Sequence, residues 1–369
     1  MLSLGLTFAE TTLYGNVDQA WNKQTLKRGG NTTSDKTGFA AIQMGGGILG
    51  VKGSEDLSGG LKASYNIEIQ PGIDENSGSW NRQSFVGLSG GFGALRIGKQ
   101  YSQAFNNTVG VDPGGATGIA GNNAYVIQLA YLGVTSTAGD APLRQRNSMQ
   151  YDLPEMLPGL KAGVTLVYGS EENSANGGKT NGGQGFNISY ASGPIYAGYT
   201  FDRVKNTGIG IFSSPGKTVK INDDGSVTTS TVTTYDVADA SSSDQNEFTT
   251  MSASYDLGVA KISINNSKMA VGSKSIDNTF VAVSVPFGGN ANVWASVGQG
   301  TAYRPELPAS STPKINATAG DKGHESYQLG VNYALSKRTV LYAQYGKMEL
   351  KDTTKFEQTG SAFGVHHSF

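Results

Sequence analysis

The chain has 369 residues, no cysteine, and 28 basic against 29 acidic residues, for a formal net charge of −1. The missing cysteines exclude a disulfide scaffold, a thiolate metal site and a Cys nucleophile. The near-neutral balance lacks the basic stripe of a nucleic-acid binder. Nor does any apolar run reach the roughly 18 residues that a transmembrane helix needs.

The chain starts MLSLGLTFAE. Residues 1–9 allow two readings: the apolar tail of a secretory signal, or the first residues of strand one. The rest, 10–369, reads as one domain. Helical periodicity is scarce and alternation is everywhere. Leu13, Gly15 and Val17 share one face of the first strand, with Tyr14, Asn16 and Asp18 on the other. In GLKASYNIEI, Leu61, Ala63, Tyr65, Ile67 and Ile69 alternate with Lys62, Ser64, Asn66 and Glu68. The pattern continues through Ala162–Tyr168, Phe186–Tyr190, Ile195–Phe201 and Tyr327–Leu335. A tilted strand of about ten residues with this dyad repeat is long enough to cross a bilayer.

Sixteen strands are expected, near 11–23, 40–54, 60–70, 81–90, 93–100, 144–153, 159–170, 184–192, 194–204, 246–257, 258–270, 277–288, 290–300, 323–335, 338–350 and 358–369. Their connections alternate between tight turns and long polar stretches. The long ones are 24–39, 71–80, 101–143, 171–183, 205–245, 301–322 and 351–357. Short turns at one end and long loops at the other are the asymmetry of an outer-membrane barrel. Tyr168, Tyr190, Phe201, Tyr255, Phe287 and Tyr333 fall near strand ends, where an interfacial girdle belongs. The fold class is therefore all-β, a 16-stranded antiparallel transmembrane β-barrel. The last strand, GSAFGVHHSF, stops on Phe369. Its Phe363, Val365, His367 and Phe369 share one face, which is expected to meet lipid after closure against strand one.

Two of the long connections carry further signals. Connection 101–143 is long for a structureless loop, and packing inside the lumen accounts for it. A short helical stretch is expected at Ala124–Leu132. In 205–245, β-prone runs flank Asp224-Gly225 and predict a hairpin outside the membrane.

Several stretches resemble the trimeric Gram-negative general porins, above all the betaproteobacterial branch. They are TLYGNVD at 12–18, GVKGSEDLSGGLKA at 50–63, RQSFVGLSGGFGALRIGKQY at 82–101, RNSMQY at 146–151, NYALSKRT at 332–339 and the terminal phenylalanine. The resemblance implies a sixteen-stranded homotrimeric barrel in the outer-membrane lipid, with the third long loop folded inward as a constriction loop. It implies a passive diffusion channel for small hydrophilic solutes and inorganic ions. It also implies that Phe363, Val365, His367 and Phe369 are read as the barrel-assembly signal.

Parity places arginines in the lumen. Arg82 is opposite in parity to Phe85, Arg96 lies between outward Leu95 and Ile97, and Arg144 and Arg146 are opposite Met149 and Tyr151. With Asp112 of the loop these form the expected pore constriction. The resemblance implies constriction roles for Arg82 and Arg144. Relatives commonly carry an inward arginine four positions before the lysine of KG; here Ile48 stands there. A modest anion preference follows. The other reading of these arginines is structural pairing with loop carboxylates such as Asp112 and Asp140.

Other functions find less support. The only histidines are His324, His366 and His367, and no Ser, His and acid gather into a hydrolase motif. No enzyme, cofactor, metal site or nucleic-acid partner is expected. A substrate-specific channel would want a line of lumen aromatics, but Tyr14, Tyr196 and Trp294 are scattered. A surface β-sheet adhesin shares the alternation, but not the loop rhythm or the inward arginines.

Overall fold

The computed structural model describes residues 10–28, 30–40, 47–71, 82–115, 144–168, 182–205, 216–221, 227–232, 245–271, 274–304, 320–351 and 357–369. The first half of the wall holds β1 (Glu10–Arg28), β2 (Asn31–Ala40), β3 (Ile48–Asp56), β4 (Lys62–Ile69), β5 (Ser84–Gly90) and β6 (Gly93–Tyr101). Helix α1 (Gln103–Val109) follows, then β7 (Arg144–Asp152), β8 (Leu160–Val167), β9 (Gly183–Ser192) and β10 (Ile195–Lys205). A separate hairpin is made of β11 (Gly216–Ile221) and β12 (Val227–Val232). The wall resumes with β13 (Gln245–Asp256), β14 (Lys261–Val271), β15 (Lys274–Phe287), β16 (Ala291–Arg304), β17 (Gly320–Ala334), β18 (Thr339–Lys351) and β19 (Glu357–Ser368).

Successive wall strands pair antiparallel, save β2 with β3, and β19 returns to pair with β1. Seventeen strands form this sheet. Strands β2 and β3 share one position, because the two halves of β1 pair with one each, Ala20–Arg28 with β2 and Glu10–Asn16 with β3. The circuit is a closed sixteen-position barrel, as the alternation predicted.

Closure runs to the last residue. Phe369 N–H donates to the Gly15 carbonyl at 3.0 Å, and Gly15 N–H donates to the Phe369 carbonyl at 3.3 Å. Phe363, Val365, His367 and Phe369 are exposed on the outer face. Inside the seam, Tyr342 is buried against Ala20 and Ala362. Its hydroxyl donates to buried Asp18 at 2.6 Å, and His366 Nδ1 lies 3.5 Å from the same carboxylate.

The two faces differ as the dyad pattern requires. Val281, Val283, Val285, Leu329 and Val331 are exposed outward, while Ser252, Ser263, Asn265 and Asn278 are buried on the inner side. Tyr190, Tyr255, Phe287 and Tyr333 are exposed near the short-turn end. At the other end the longer strands carry charge: Lys347 bonds Glu349 and Glu357, both at 2.9 Å, and Lys27 reaches Glu357 at 3.1 Å. These strands of 12 to 19 residues exceed the roughly ten a bilayer needs, so their ends can be polar.

The structure corrects the expected elements in four places. Residues 24–39 are not a long loop; β1 runs on to Arg28 and β2 starts at Asn31. The second expected strand, 40–54, is two pieces, β2 and β3. In the third long connection the observed helix is α1, at its start, whereas Ala124–Leu132 lies outside the described residues. Strand β5 has the opposite facing to that expected: Val86 and Leu88 are outward, and Phe85 faces in, beneath the Arg96 guanidinium at 6.0 Å. The hairpin in 205–245 is present, with Ile221 paired to Val227; its tip at Asp224-Gly225 lies outside the described residues.

Gly364 lets Tyr342 lie across the seam. A Cβ there would fall 2.5 Å from Tyr342 Cζ and 2.7 Å from Ala20 Cβ. Overpacking of this kind costs about 1–3 kcal/mol. Gly364→Ala is expected to lower the temperature at which the folded barrel shifts to unfolded gel mobility. An unchanged transition would show that the seam relaxes freely.

Candidate functional site

A barrel of this strand number is too wide for its own side chains to fill, so the loop after β6 decides what the lumen admits. Ser102 caps α1, its Oγ accepting from Phe105 N–H at 3.1 Å. Five residues on, Asn107 is only 5% exposed. Its Nδ2 donates to Thr250 Oγ1 at 2.8 Å, and its Oδ1 accepts from the Tyr196 hydroxyl at 2.8 Å. Its carbonyl accepts from Ser252 Oγ at 2.9 Å, and Asn265 supports that serine at 2.8 Å. The helix is thereby fastened to the inner faces of β10, β13 and β14.

Beyond α1 the chain continues across the lumen. Val111 is buried with Phe280 and Ala282 of β15. Asp112 Oδ1 accepts from Gly114 N–H at 2.8 Å, turning the chain. A Cβ at Gly114 would stand 3.2 Å from the Trp294 ring and 3.3 Å from Gln328 Oε1. The described part of the loop thus leaves β6 and reaches β16 and β17 on the other side of the barrel.

Beside the helix stands a cationic cluster built on Tyr101. The Tyr101 ring stacks on Phe105 of α1 at 4.9 Å. The Arg144 guanidinium lies 5.0 Å from the ring centre, and Arg82 donates to the Tyr101 hydroxyl. Arg82 Nε is also 3.7 Å from Glu68 Oε2, with both side chains nearly buried. Glu68 in turn accepts from Tyr14 at 2.7 Å and from Gln83 at 3.2 Å. Burial lowers the Arg82 pKa from its ordinary value, and Arg144 adds to the lowering; an arginine stays charged at neutral pH all the same.

The other expected residues lie elsewhere. Arg96 is inward but low on the wall, near the tight turn before Gly93. It bonds Asp152 at 2.7 Å and Gln150 at 3.4 Å. Five residues of strand separate it from Tyr101, about 16 Å. Arg146 does not follow the expected parity. Gly98 pairs with Ser148 and Gln100 with Gln145, so β7 carries one extra residue there. Asn147 takes φ +49°, and Arg146 is exposed while Gln145 and Ser148 are buried. Asp112 belongs to the far end of the described loop, against the β16–β17 side. Asp140 lies outside the described residues.

Tyr101, Glu68 and Asn107 were not singled out from the sequence. Alternation placed Glu68 inside, which was the one available signal for it. Tyr101 is the last residue of β6, paired with Arg144 beyond the bulge, where counted parity no longer tells facing. Asn107 is one amide in a polar loop, and only its partners from β10 and β13 distinguish it.

Fold and loop together define a class: a closed membrane-spanning barrel that narrows its own lumen with a segment of its chain. The Gram-negative porin family model matches residues 5–353, and the chain belongs to that family. The major outer membrane protein P.IB of Neisseria meningitidis serogroup B is 34% identical over 194 residues, covering 52% of this chain and 53% of the relative. The chain thus spans about half the length of the meningococcal relatives it matches. Outer membrane porin protein 32 of Delftia acidovorans is 26% identical over 345 residues, covering 87% and 84% of the two chains. Among solved structures, the anion-selective porin from Comamonas acidovorans has a TM-score of 0.70 at 23% identity, covering 98% of this chain and 100% of that one. At that identity the likeness is one of fold. The protein is an outer-membrane β-barrel of betaproteobacterial porin type.

Asn107→Ala would strip α1 of its side-chain anchors to the wall and leave the part-buried Tyr196 hydroxyl without its partner, while Thr250 keeps Thr200 and the backbone bond to Ser252 remains. Such a loss costs about 1–3 kcal/mol. Amide exchange in α1 is expected to quicken roughly tenfold or more, with the wall strands unaffected. Equal α1 exchange in variant and parent would mean that the loop is held from elsewhere.

Proposed function

We propose that the protein is a general diffusion channel for small hydrophilic solutes and inorganic ions, with a modest preference for anions. The observation that carries this reading is the pairing of Arg82 and Arg144 on one tyrosine, beside the inward loop. Glu68 lies against Arg82 and offsets one of the two charges. The cluster keeps a net positive field of about one charge. In a narrow passage, where the Debye length at physiological salt is about 8 Å, such a field is only partly screened. Ile48 in place of an inward arginine keeps the preference modest. The anion selectivity of the Comamonas porin has the same sign.

The lumen aromatics favour a general channel over a substrate-specific one. Tyr14 is bonded to Glu68, Tyr196 to Asn107, and Trp294 is 1% exposed. The three stand on separate parts of the wall, β1, β10 and β16, and form no line along which a sugar could slide. No reaction is proposed; the family consists of channels.

A homotrimer fits the outer surface of β3–β6, where Ala63, Val86, Leu88, Leu95 and Ile97 border an apolar groove of about 390 Å³. Large apolar side chains line this wall, so contact would be through apolar packing rather than close backbone approach. The outward Phe363, Val365, His367 and Phe369 suit recognition by the assembly machinery. The β11–β12 hairpin belongs on the extracellular side with the long connections.

Selectivity is tested by zero-current potentials in a salt gradient across a planar bilayer. Arg82→Ser with Arg144→Ser is expected to move the potential toward cations, and Ile48→Arg to move it the other way. Both shifts should shrink as salt rises. An unmoved potential in the double variant would make these arginines structural. Liposome swelling that falls smoothly with sugar size, whatever the sugar, would support the general channel; a sharp preference for one sugar would reject it.

A further inference from the structure

Below α1, toward the short-turn end, the inner wall is hollowed. Inward positions form two rows across β7–β10. One row is Asp152, Gly163, Asn187 and Thr200; the next is Lys161, Ser189 and Gly198. Two of these positions have no side chain. A Cβ at Gly198 would lie 2.3 Å from Asn107 Oδ1, and one at Gly163 would lie 2.9 Å from Asn187 Oδ1. Asn107 and Asn187 occupy the room these glycines leave, and beside them lies a cavity of about 460 Å³, bordered on the loop side by Gln103 and Asn106. Small-molecule sites commonly enclose about 300–1,000 Å³.

The cavity shows both signs of charge. Arg96 and Lys161 are its cations, and Asp152 and Glu155 its anions. Arg96 and Asp152 bond each other, each about one-third exposed (31% and 37%). Glu155 accepts the Gly159 N–H at 2.6 Å. Lys161 has no ion pair among the described residues. A simple ion entering here meets charges of both signs and gains little net attraction. A molecule carrying both an ammonium and a carboxylate can engage both signs at once.

We propose that this cavity is a transient docking site for small zwitterions, such as free amino acids and short peptides, on the periplasmic side of the inward loop. The carboxylate faces Lys161 and Arg96, and the ammonium faces Glu155 and Asp152. Amides of Gln103, Asn106 and Asn187 are placed to bond the backbone of the solute. The charged groups are partly exposed to lumen water, which keeps binding weak and release quick, as a passage site requires. The proposal rests on the reading of the barrel as an open channel.

The test uses ion current through the full-length protein in a planar bilayer, with diglycine added on the periplasmic side. Brief blocks or excess noise that rise with diglycine concentration are expected. Lys161→Gln with Glu155→Gln should weaken them at least threefold. Acetate or ethylammonium at equal concentration should produce less than a third of the effect. Lys161→Gln alone serves if the double variant does not fold, because that side chain holds no ion pair among the described residues. Three results would overturn the proposal: no diglycine effect, an equal effect in the variants, or equal block by singly charged analogues. Open-channel conductance before any addition is read in the same traces. If it is absent, the channel reading itself fails; if it is present without block, only the docking site fails.

Discussion

A strand in hydrocarbon cannot leave a backbone N–H or C=O unpaired, and this one requirement shapes the molecule. It forbids an edge, so the sheet must close. It makes β19 pair with β1 through to the last residue, with Phe369 and Gly15 exchanging hydrogen bonds. Closure also sorts the side chains. Every second residue meets lipid and is apolar, while its neighbour faces water and is small and polar. On the outer face, charged pairs such as Lys347 with Glu357 stand where the strands outrun the apolar band. At the seam Tyr342 fills the space above Gly364 and bonds Asp18.

Closure at sixteen positions creates the next problem, a lumen that is too open. The loop after β6 answers it, and its usefulness depends on a fixed position. Asn107 supplies that through a carbonyl, a donor and an acceptor, each with a partner on the opposite wall. Gly198 belongs to the same device, since only a residue without a Cβ leaves room for the asparagine there. Tyr101 links the loop to the charges, with Phe105 on one side and the two arginines around it. Loop position and lumen field are therefore one assembly rather than two independent features.

Strand number, strand spans and the outward face of most strands were legible because a dyad repeat survives any tertiary arrangement. Leu13, Val17, Phe363 and Val365 are outward as the alternation said. The errors fall where that repeat is interrupted or has no strand to act on. Arg146 was assigned by counting back from Met149, and one extra residue in β7 broke the count. Gly98 opposite the bulge has φ +139°, and a Cβ there would meet the Ser84 carbonyl oxygen at 2.2 Å; local sequence does not announce that crowding. Arg82 was inferred from Phe85 as an outward residue, but Phe85 faces in. Arg82 precedes β5 and reaches Glu68 and Tyr101 by a path that parity does not describe.

The sequence by itself determined a closed antiparallel barrel with one long inward loop. Burial of alternate residues and pairing of every backbone group leave no other arrangement for sixteen such strands. It also determined that cationic residues would stand in the lumen. Only the tertiary structure decided which of them stand together. Arg82 and Arg144 meet on Tyr101, Arg96 is paired lower down with Asp152, and Asp112 turns the loop on the far side. Those placements depend on contacts between residues far apart in the chain, on a single bulge, and on glycines that leave space. None of the three has a period that a sequence can display.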